Sequence, residues 1–241
     1  MISIDCIYII NLTRSTEQLK NKLNNYPFLF KDNTKIVFFN GINGWDLVNG
    51  NLKIDLNYKV ANWWNIESYN GWYSRDIIPG EIGCGLSHYK CLEDAFLKNY
   101  KTILILEEDF LITEPFPYKE MFNNLPKEWS LIYFGRNKVW KDYKEEKIGK
   151  HLCKIGYSYE THANLYSFKG IKEILNSSYL TNLISWDEFL SAINGTTIRR
   201  DAIKHFYNPK FLALGFDENY IIQTSIPENQ SLTEENLNIK N

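Results

Sequence analysis

The sequence predicts an α/β domain with a mixed, mostly parallel central sheet flanked by helices. Three observations carry this. An apolar, β-branched run at residues 4–10 is followed by a capped helical segment and a second β-branched run at residues 35–39, a βαβ opening. A third apolar run, Thr102 to Leu106, stops at Glu107-Glu108-Asp109, and strands of open α/β sheets carry their ligand sites at such carboxyl ends. The 241 residues are 44% apolar and 23% charged, ordinary for a globular protein with enough chain to bury a core.

Ile4 to Ile10 reads as a buried first strand, and Asn11 to Arg14 as the loop at its end. Ser15-Thr16-Glu17-Gln18 has the pattern of a capping box, which predicts a helix from Thr16 to Asn24. Lys35 to Phe39 is the second strand, closed by the turn residues Asn40-Gly41-Ile42-Asn43-Gly44. Residues 45–75 are irregular and aromatic, with Tyr58, Trp63, Trp64, Tyr69, Trp72 and Tyr73; they read as a long loop or lid carrying a short helix. Pro79-Gly80-Glu81 opens the strongest helix, with proline in its first turn. Ile82, Leu86, Tyr89 and Phe96 share an apolar stripe on it, beside a face of Glu81, Cys84, His88 and Cys91, and it ends near Lys98. Ser130 to Phe134 is a fourth strand, and the charged stretch to Lys150 a hairpin or solvent loop. Asn164 to Phe168 reads as a strand, Gly170 to Leu175 and Trp186 to Ala192 as helices, and Phe206 to Leu214 as the last strand. One domain over residues 1–227 is expected, with a polar tail over 228–241 that frays.

Composition excludes several classes. Net charge is −2, and the basic stretches Lys138 to Lys150 and Arg199-Arg200 are interspersed with acids or too short, so no nucleic-acid partner is expected. No apolar run approaches membrane-spanning length, so no span is expected. The first ten residues carry Asp5 and lack a basic n-region, so they read as a strand and not a signal peptide; the expectation is an intracellular, soluble protein. Cys6, Cys84, Cys91 and Cys153 form no CxxC pair, which argues against a zinc site and suits free thiols.

Three segments can carry chemistry. Glu107, Glu108 and Asp109 at a strand end form a hard-oxygen site suited to Mn²⁺ or Mg²⁺, which a diphosphate could share; alone, the segment is also a plain acidic loop. Gly80, Gly83 and Gly85 sit inside a helical pattern at a cost of about 1 kcal/mol each, which makes sense where something approaches the backbone closely; tight packing is the simpler reading, and His88 alone is an ordinary core histidine. Asp187 and Glu188, beside Trp186, could supply a general base, or only stabilise a helix N-terminus.

Four stretches in order resemble glycosyltransferase family 25, the lipooligosaccharide and procollagen galactosyltransferases. Ile9-Ile10-Asn11-Leu12-Thr13-Arg14 resembles I-N-L-x-R, and Gly80 to Tyr89 resembles G-E-x-G-C-x-x-S-H. Leu106-Glu107-Glu108-Asp109 resembles L-E-D-D, and Ser185-Trp186-Asp187-Glu188-Phe189-Leu190 resembles P-V-D-E-F-L. Leu131 to Arg136 and Tyr157-Ser158-Tyr159 are similar to the collagen-modifying branch. The resemblance spans residues 4–225 and implies a GT-A fold, a UDP-sugar donor and a divalent metal, manganese or magnesium. It implies that Asp109 holds the metal and that Glu107 holds the metal or the ribose. Asn11, Leu12 and Arg14 would line the uridine pocket, with Gly44 and Glu108 also on the nucleotide side. Glu81, Ser87 and His88 would shape the donor site, and Asp187 first, Glu188 second, would be the catalytic base. The implied reaction moves a hexose, galactose before glucose, to an acceptor hydroxyl on hydroxylysine or galactosyl-hydroxylysine of collagen-like chains, or on a glycan. A catalytically silent sugar-nucleotide-binding module, with the aromatics from Tyr58 to Tyr73 as a platform, is the competing class. Three departures stand out: Glu108 for a middle Asp, Asn43 for an Asp before Gly44, and Gln223 where a late motif carries Asp, leaving Asp217 as a substitute ligand.

Overall fold

The structure is a computed structural model and describes residues 3–12, 15–26, 34–64, 75–113, 122, 125–139 and 145–224. Its organising strand is β3 (Thr102–Glu107), flanked by β1 (Cys6–Asn11) and β10 (Ala163–Ser167). The other members of the sheet are β2 (Lys35–Asn40), β5 (Leu131–Tyr133), β7 (Glu146–Lys147), β8 (Leu152–Lys154) and β11 (Ala213–Phe216). Their order is β2-β1-β3-β10-β5-β11-β8-β7. Following the pairings along it, only β10 and β8 oppose the rest, so six of the eight strands run one way and the sheet is mixed but mainly parallel. Short ribbons add β4 (Phe110–Ile112) with β12 (Ile221–Gln223), and β6 (Asn137–Lys138) with β9 (Ser158–Tyr159).

Strand alternation divides the core in two. Tyr8, Ile103, Ile105, Tyr133 and Tyr166 face one layer, which holds α3 (Pro79–Leu97), α4 (Phe168–Leu175), α5 (Trp186–Ile193) and α6 (Arg200–Phe206). Ile7, Ile9, Leu104, Leu106 and Leu165 face the other, with Leu19 and Leu23 of α1 (Thr16–Asn24). The capping box forms as its residues predict: Ser15 Oγ accepts from Gln18 N at 3.2 Å, and Gln18 Oε1 accepts from Ser15 N at 3.0 Å.

The described part of the segment after β2, residues 41–64, is fastened to the fold at several points. Asn43 caps the short α2 (Gly44–Val48) by accepting from Trp45 N at 2.9 Å. Val60 then bridges in parallel to Leu183. Trp64 is buried under the Arg199 guanidinium, 4.2 Å from the ring centroid, and Trp63 stacks on His205 at 4.4 Å. Tyr69, Trp72, Tyr73, Arg14 and the 228–241 tail with its boundary at 227 lie outside the described residues.

One expected element is corrected. The apolar run read as a strand from Phe206 to Leu214 begins as the end of helix α6, turns at residues 208–211, and enters β11 only at Ala213. Ala202 and Phe206, four residues apart, are both buried, so helical burial governs the first half of that run. Among the described residues no helix is long and apolar enough to cross a membrane.

Candidate functional site at the end of the third strand

Register places the site. Ile10 of β1 pairs with Glu107 of β3, so Asn11 and the acidic run emerge side by side at the carboxyl edge. Glu107 has the same strand parity as Ile103 and Ile105 and therefore points at α3. There its Oε1 lies 3.0 Å from His88 Nε2 and accepts from Thr161 Oγ1 at 3.1 Å. Burial pushes the Glu107 carboxyl up, but the His88 hydrogen bond and the charges of His88 and His162 outweigh it and hold it below the ordinary glutamate value.

His88 is buried, and its ring stacks on Trp186 at the start of α5, with centroids 5.5 Å apart. That contact brings the third segment to the first two. Glu107, Asp187, Glu81 and Asp109 all lie close enough to Cys84 to disfavour its thiolate, after the larger effect of its burial. Cys84 Sγ, a His88 ring nitrogen and a Glu107 oxygen lie within 4.8 Å of one another.

Asp109 is held by the far end of the chain. Gln223 Nε2 donates to its Oδ2 at 2.7 Å, and Thr224 N and Oγ1 donate to its carbonyl at 2.9 and 2.8 Å. Among the described residues its Oδ1 is buried without a hydrogen-bond partner. Burial first, and Glu107 second, raise its pKa to about 6. An orphaned carboxylate oxygen beside a second carboxylate is a donor set that fits a hard divalent cation.

Asp187 and Glu188 are adjacent in sequence and differ in setting. Asp187 is half-buried; burial, and then Glu188, raise its pKa to about 7, while its Oδ1 accepts from Glu188 N at 2.8 Å. Glu188 is fully buried, with Oε2 accepting from Tyr157 at 2.7 Å and Tyr159 at 3.1 Å, and Oε1 accepting from Thr197.

The remaining sequence-derived residues lie around this centre. Glu81 makes a two-bond pair with Arg75, both at 2.9 Å, and accepts from Ile78 N. Ser87 Oγ accepts from Ile42 N at 2.8 Å and donates to Gly83 O, tying the loop after β2 to α3. A β-carbon on Gly44 would sit 1.6 Å from Pro79 O, and one on Gly83 2.3 Å from Ile42 O. These helix glycines therefore answer to the N-terminus of α2 packed against α3. Leu12 is exposed, Glu108 O accepts from Lys22 at 3.2 Å, and Asp217 pairs with Lys147 at 2.8 Å near the β7–β8 hairpin. Sequence reasoning did not single out Thr161, Thr197 or Cys84 as site residues; Thr161 reaches Glu107 from 54 residues away, Thr197 reaches Glu188 from beyond the end of α5, and Cys84 meets Glu107 from the neighbouring helix. Tyr157 and Tyr159 were visible only as part of a motif.

The sequence is similar to that of known proteins. The profile of glycosyltransferase family 25 (LPS biosynthesis protein) matches residues 4–180. A glycosyltransferase 25 family member of Aedes aegypti is 30% identical over 219 residues, covering 88% of this chain and 34% of that protein. Procollagen galactosyltransferase 1-B of Xenopus laevis is 28% identical over 215 residues, covering 85% and 33%. The procollagen lysyl hydroxylase and glycosyltransferase of Acanthamoeba polyphaga mimivirus is 28% identical over 202 residues, covering 79% and 22%. The chain spans about a third of these relatives' length or less. With its βαβ opening, its glycine-bearing helix and its acidic strand end all inside the matched span, the chain belongs to glycosyltransferase family 25.

Proposed function

We propose that this chain transfers a hexose, galactose first and glucose next, from a UDP-sugar to an acceptor hydroxyl, within a GT-A architecture. The observation that carries the reading is the acidic strand end itself: Glu107 held by His88 and Thr161, and Asp109 beyond it with Oδ1 buried and, among the described residues, without a hydrogen-bond partner. Hydroxylysine in collagen-like chains is the favoured acceptor, supported by relatives named for procollagen, with a lipooligosaccharide or other glycan next.

Asp109, through Oδ1, and Glu107 would hold a divalent cation, manganese or magnesium, whose contribution is to neutralise charge on the departing UDP. His88 and Thr161 fix Glu107 Oε1, so that carboxylate keeps one orientation. Asp187 takes the proton of the acceptor hydroxyl in an inverting displacement. Its pKa of about 7 suits a base working near neutrality, and it keeps a face to solvent. Glu188, its oxygens occupied by three hydroxyls, serves better as the anchor that holds the N-terminus of α5 in place. Asn11 and Leu12 at the end of β1 remain the nucleotide-side residues. The packed state of Trp63 and Trp64 weighs against the silent module with an aromatic platform.

The test is UDP release with UDP-galactose or UDP-glucose, Mn²⁺ and hydroxylysine-containing peptides or glycans, with the hexosylated product read by mass spectrometry. Mn²⁺-dependent transfer that Asp109→Ala abolishes supports the reading. Binding of UDP-sugar without turnover over any acceptor supports the silent module.

A further inference from the structure

The absence of a CxxC pair argues against a zinc site only when the ligands are neighbours in sequence. Cys84 and His88 are four residues apart on α3, one helical turn along the same face. Glu107 faces them from β3, its Oε1 3.0 Å from His88 Nε2. One ligand atom from each lies within 4.8 Å of the others, a spacing that modest side-chain adjustment closes onto one ion.

We infer that Cys84, His88 and Glu107 form a second cation site that takes a thiophilic divalent ion such as zinc and disfavours manganese. A thiolate and an imidazole are borderline-soft donors, whereas the Asp109 carboxylate beside them is a hard one. One sulfur, one nitrogen and one oxygen ligand leave a fourth tetrahedral position open. The His88 ring is already oriented by burial and by its stack on Trp186, so little freedom is lost on binding. Binding releases the Cys84 thiol proton to solvent; the proton that Nε2 shares with Glu107 moves to Nδ1 of the same ring or to solvent, and the freed Nε2 lone pair takes the ion.

The consequence for activity rests on the proposed transferase reading. Glu107 belongs to both donor sets, so zinc on Cys84 and His88 removes a carboxylate from the manganese site and stops transfer. Zinc is then an inhibitor that competes with manganese through one shared side chain.

Cobalt is the probe, because a cobalt–thiolate bond absorbs in the near ultraviolet and needs neither donor nor acceptor. Metal-free full-length protein titrated with Co²⁺ is expected to develop that band, and Zn²⁺ to displace it. Cys84→Ser, nearly isosteric, loses the band; His88→Gln weakens it; Asp109→Ala keeps it. Circular dichroism confirms that each variant is folded. A wild-type protein with no thiolate band, or a Cys84→Ser protein with an undiminished one, overturns the site. Where the band is present, zinc inhibition of Mn²⁺-supported UDP release that rises as Mn²⁺ falls, and is lost in Cys84→Ser, supports the competition; a rate indifferent to zinc overturns it. A protein that shows the band but no transfer sinks the transferase reading alone.

Discussion

Gln223 Nε2 donates to Asp109 Oδ2 at 2.7 Å, although 114 residues separate the two in sequence. The bond ties one carboxylate oxygen and leaves the other, Oδ1, buried and without a partner among the described residues. Gln223→Leu removes the tie and lets the carboxylate rotate. It is expected to raise the Mn²⁺ concentration for half-maximal turnover by roughly tenfold or more, as loss of a residue that orients a metal ligand does. A manganese titration of UDP release, checked by Mn²⁺ paramagnetic resonance without donor, measures it. An unchanged affinity would remove Gln223 from any role in orienting Asp109.

Asp187 sets the expected pH dependence. With a pKa of about 7, it becomes competent as a base only as pH rises through that value. The rate constant kcat/KM should therefore rise to a plateau above neutrality, and Asp187→Asn should lower kcat by roughly 10²–10⁴-fold. Glu188→Gln should keep a rising profile but move its midpoint down, because the neighbouring charge that helps raise Asp187 is gone. A profile that follows Glu188 instead would move the base by one residue.

The same two aspartates cost the folded protein stability. An acid whose folded pKa is raised holds its proton longer than the unfolded chain does, so stability is lost as pH climbs from its ordinary value towards the folded one. For Asp187 the window runs from about 4 in the unfolded chain to about 7 in the fold, and for Asp109 its upper limit is about 6. Asp187→Asn is expected to raise Tm at pH 8 and to leave it unchanged at pH 4. Thermal melts of the metal-free protein at both pH values decide this, and a gain at pH 4 alone would contradict the sign.

Glu188 is a stability residue. Three hydroxyls, from Tyr157, Tyr159 and Thr197, donate to its two oxygens, and glutamine offers only one acceptor oxygen. Glu188→Gln should lose roughly 1–3 kcal/mol in denaturant unfolding. A neutral substitution would mean that the hydroxyls find other partners.

Gly83 sits where α2 and α3 meet. An added β-carbon would stand 2.3 Å from Ile42 O and 2.6 Å from Gly44 N, both backbone atoms. Gly83→Ala should cost roughly 1–3 kcal/mol through overpacking, read as a lower denaturant midpoint.

Much of the frame was legible in sequence because its signals are local. The capping box at Ser15 set the start of α1, and proline with a polar face set α3. The acidic run after β3 was found because a strand end is a fixed place in an α/β sheet. What escaped depended on distant partners. The run from Phe206 to Leu214 is short and apolar, and its periodicity alone does not separate the end of a helix from a strand. The β4–β12 ribbon joins residues more than a hundred positions apart, and the Tyr157, Tyr159 and Thr197 grip on Glu188 likewise has no local pattern. The glycines of α3 read most simply as tight packing, and the partners are what the sequence hides: the α2 terminus at Gly83 and the Tyr179 hydroxyl at Gly85.

The clasp on the Asp109 carbonyl comes from Thr224, and its side-chain brace from Gln223. A ribosome therefore delivers the acidic strand end long before it delivers the parts that hold it. A nascent chain halted ahead of Ile221 would carry every acid of the centre and yet lack its brace.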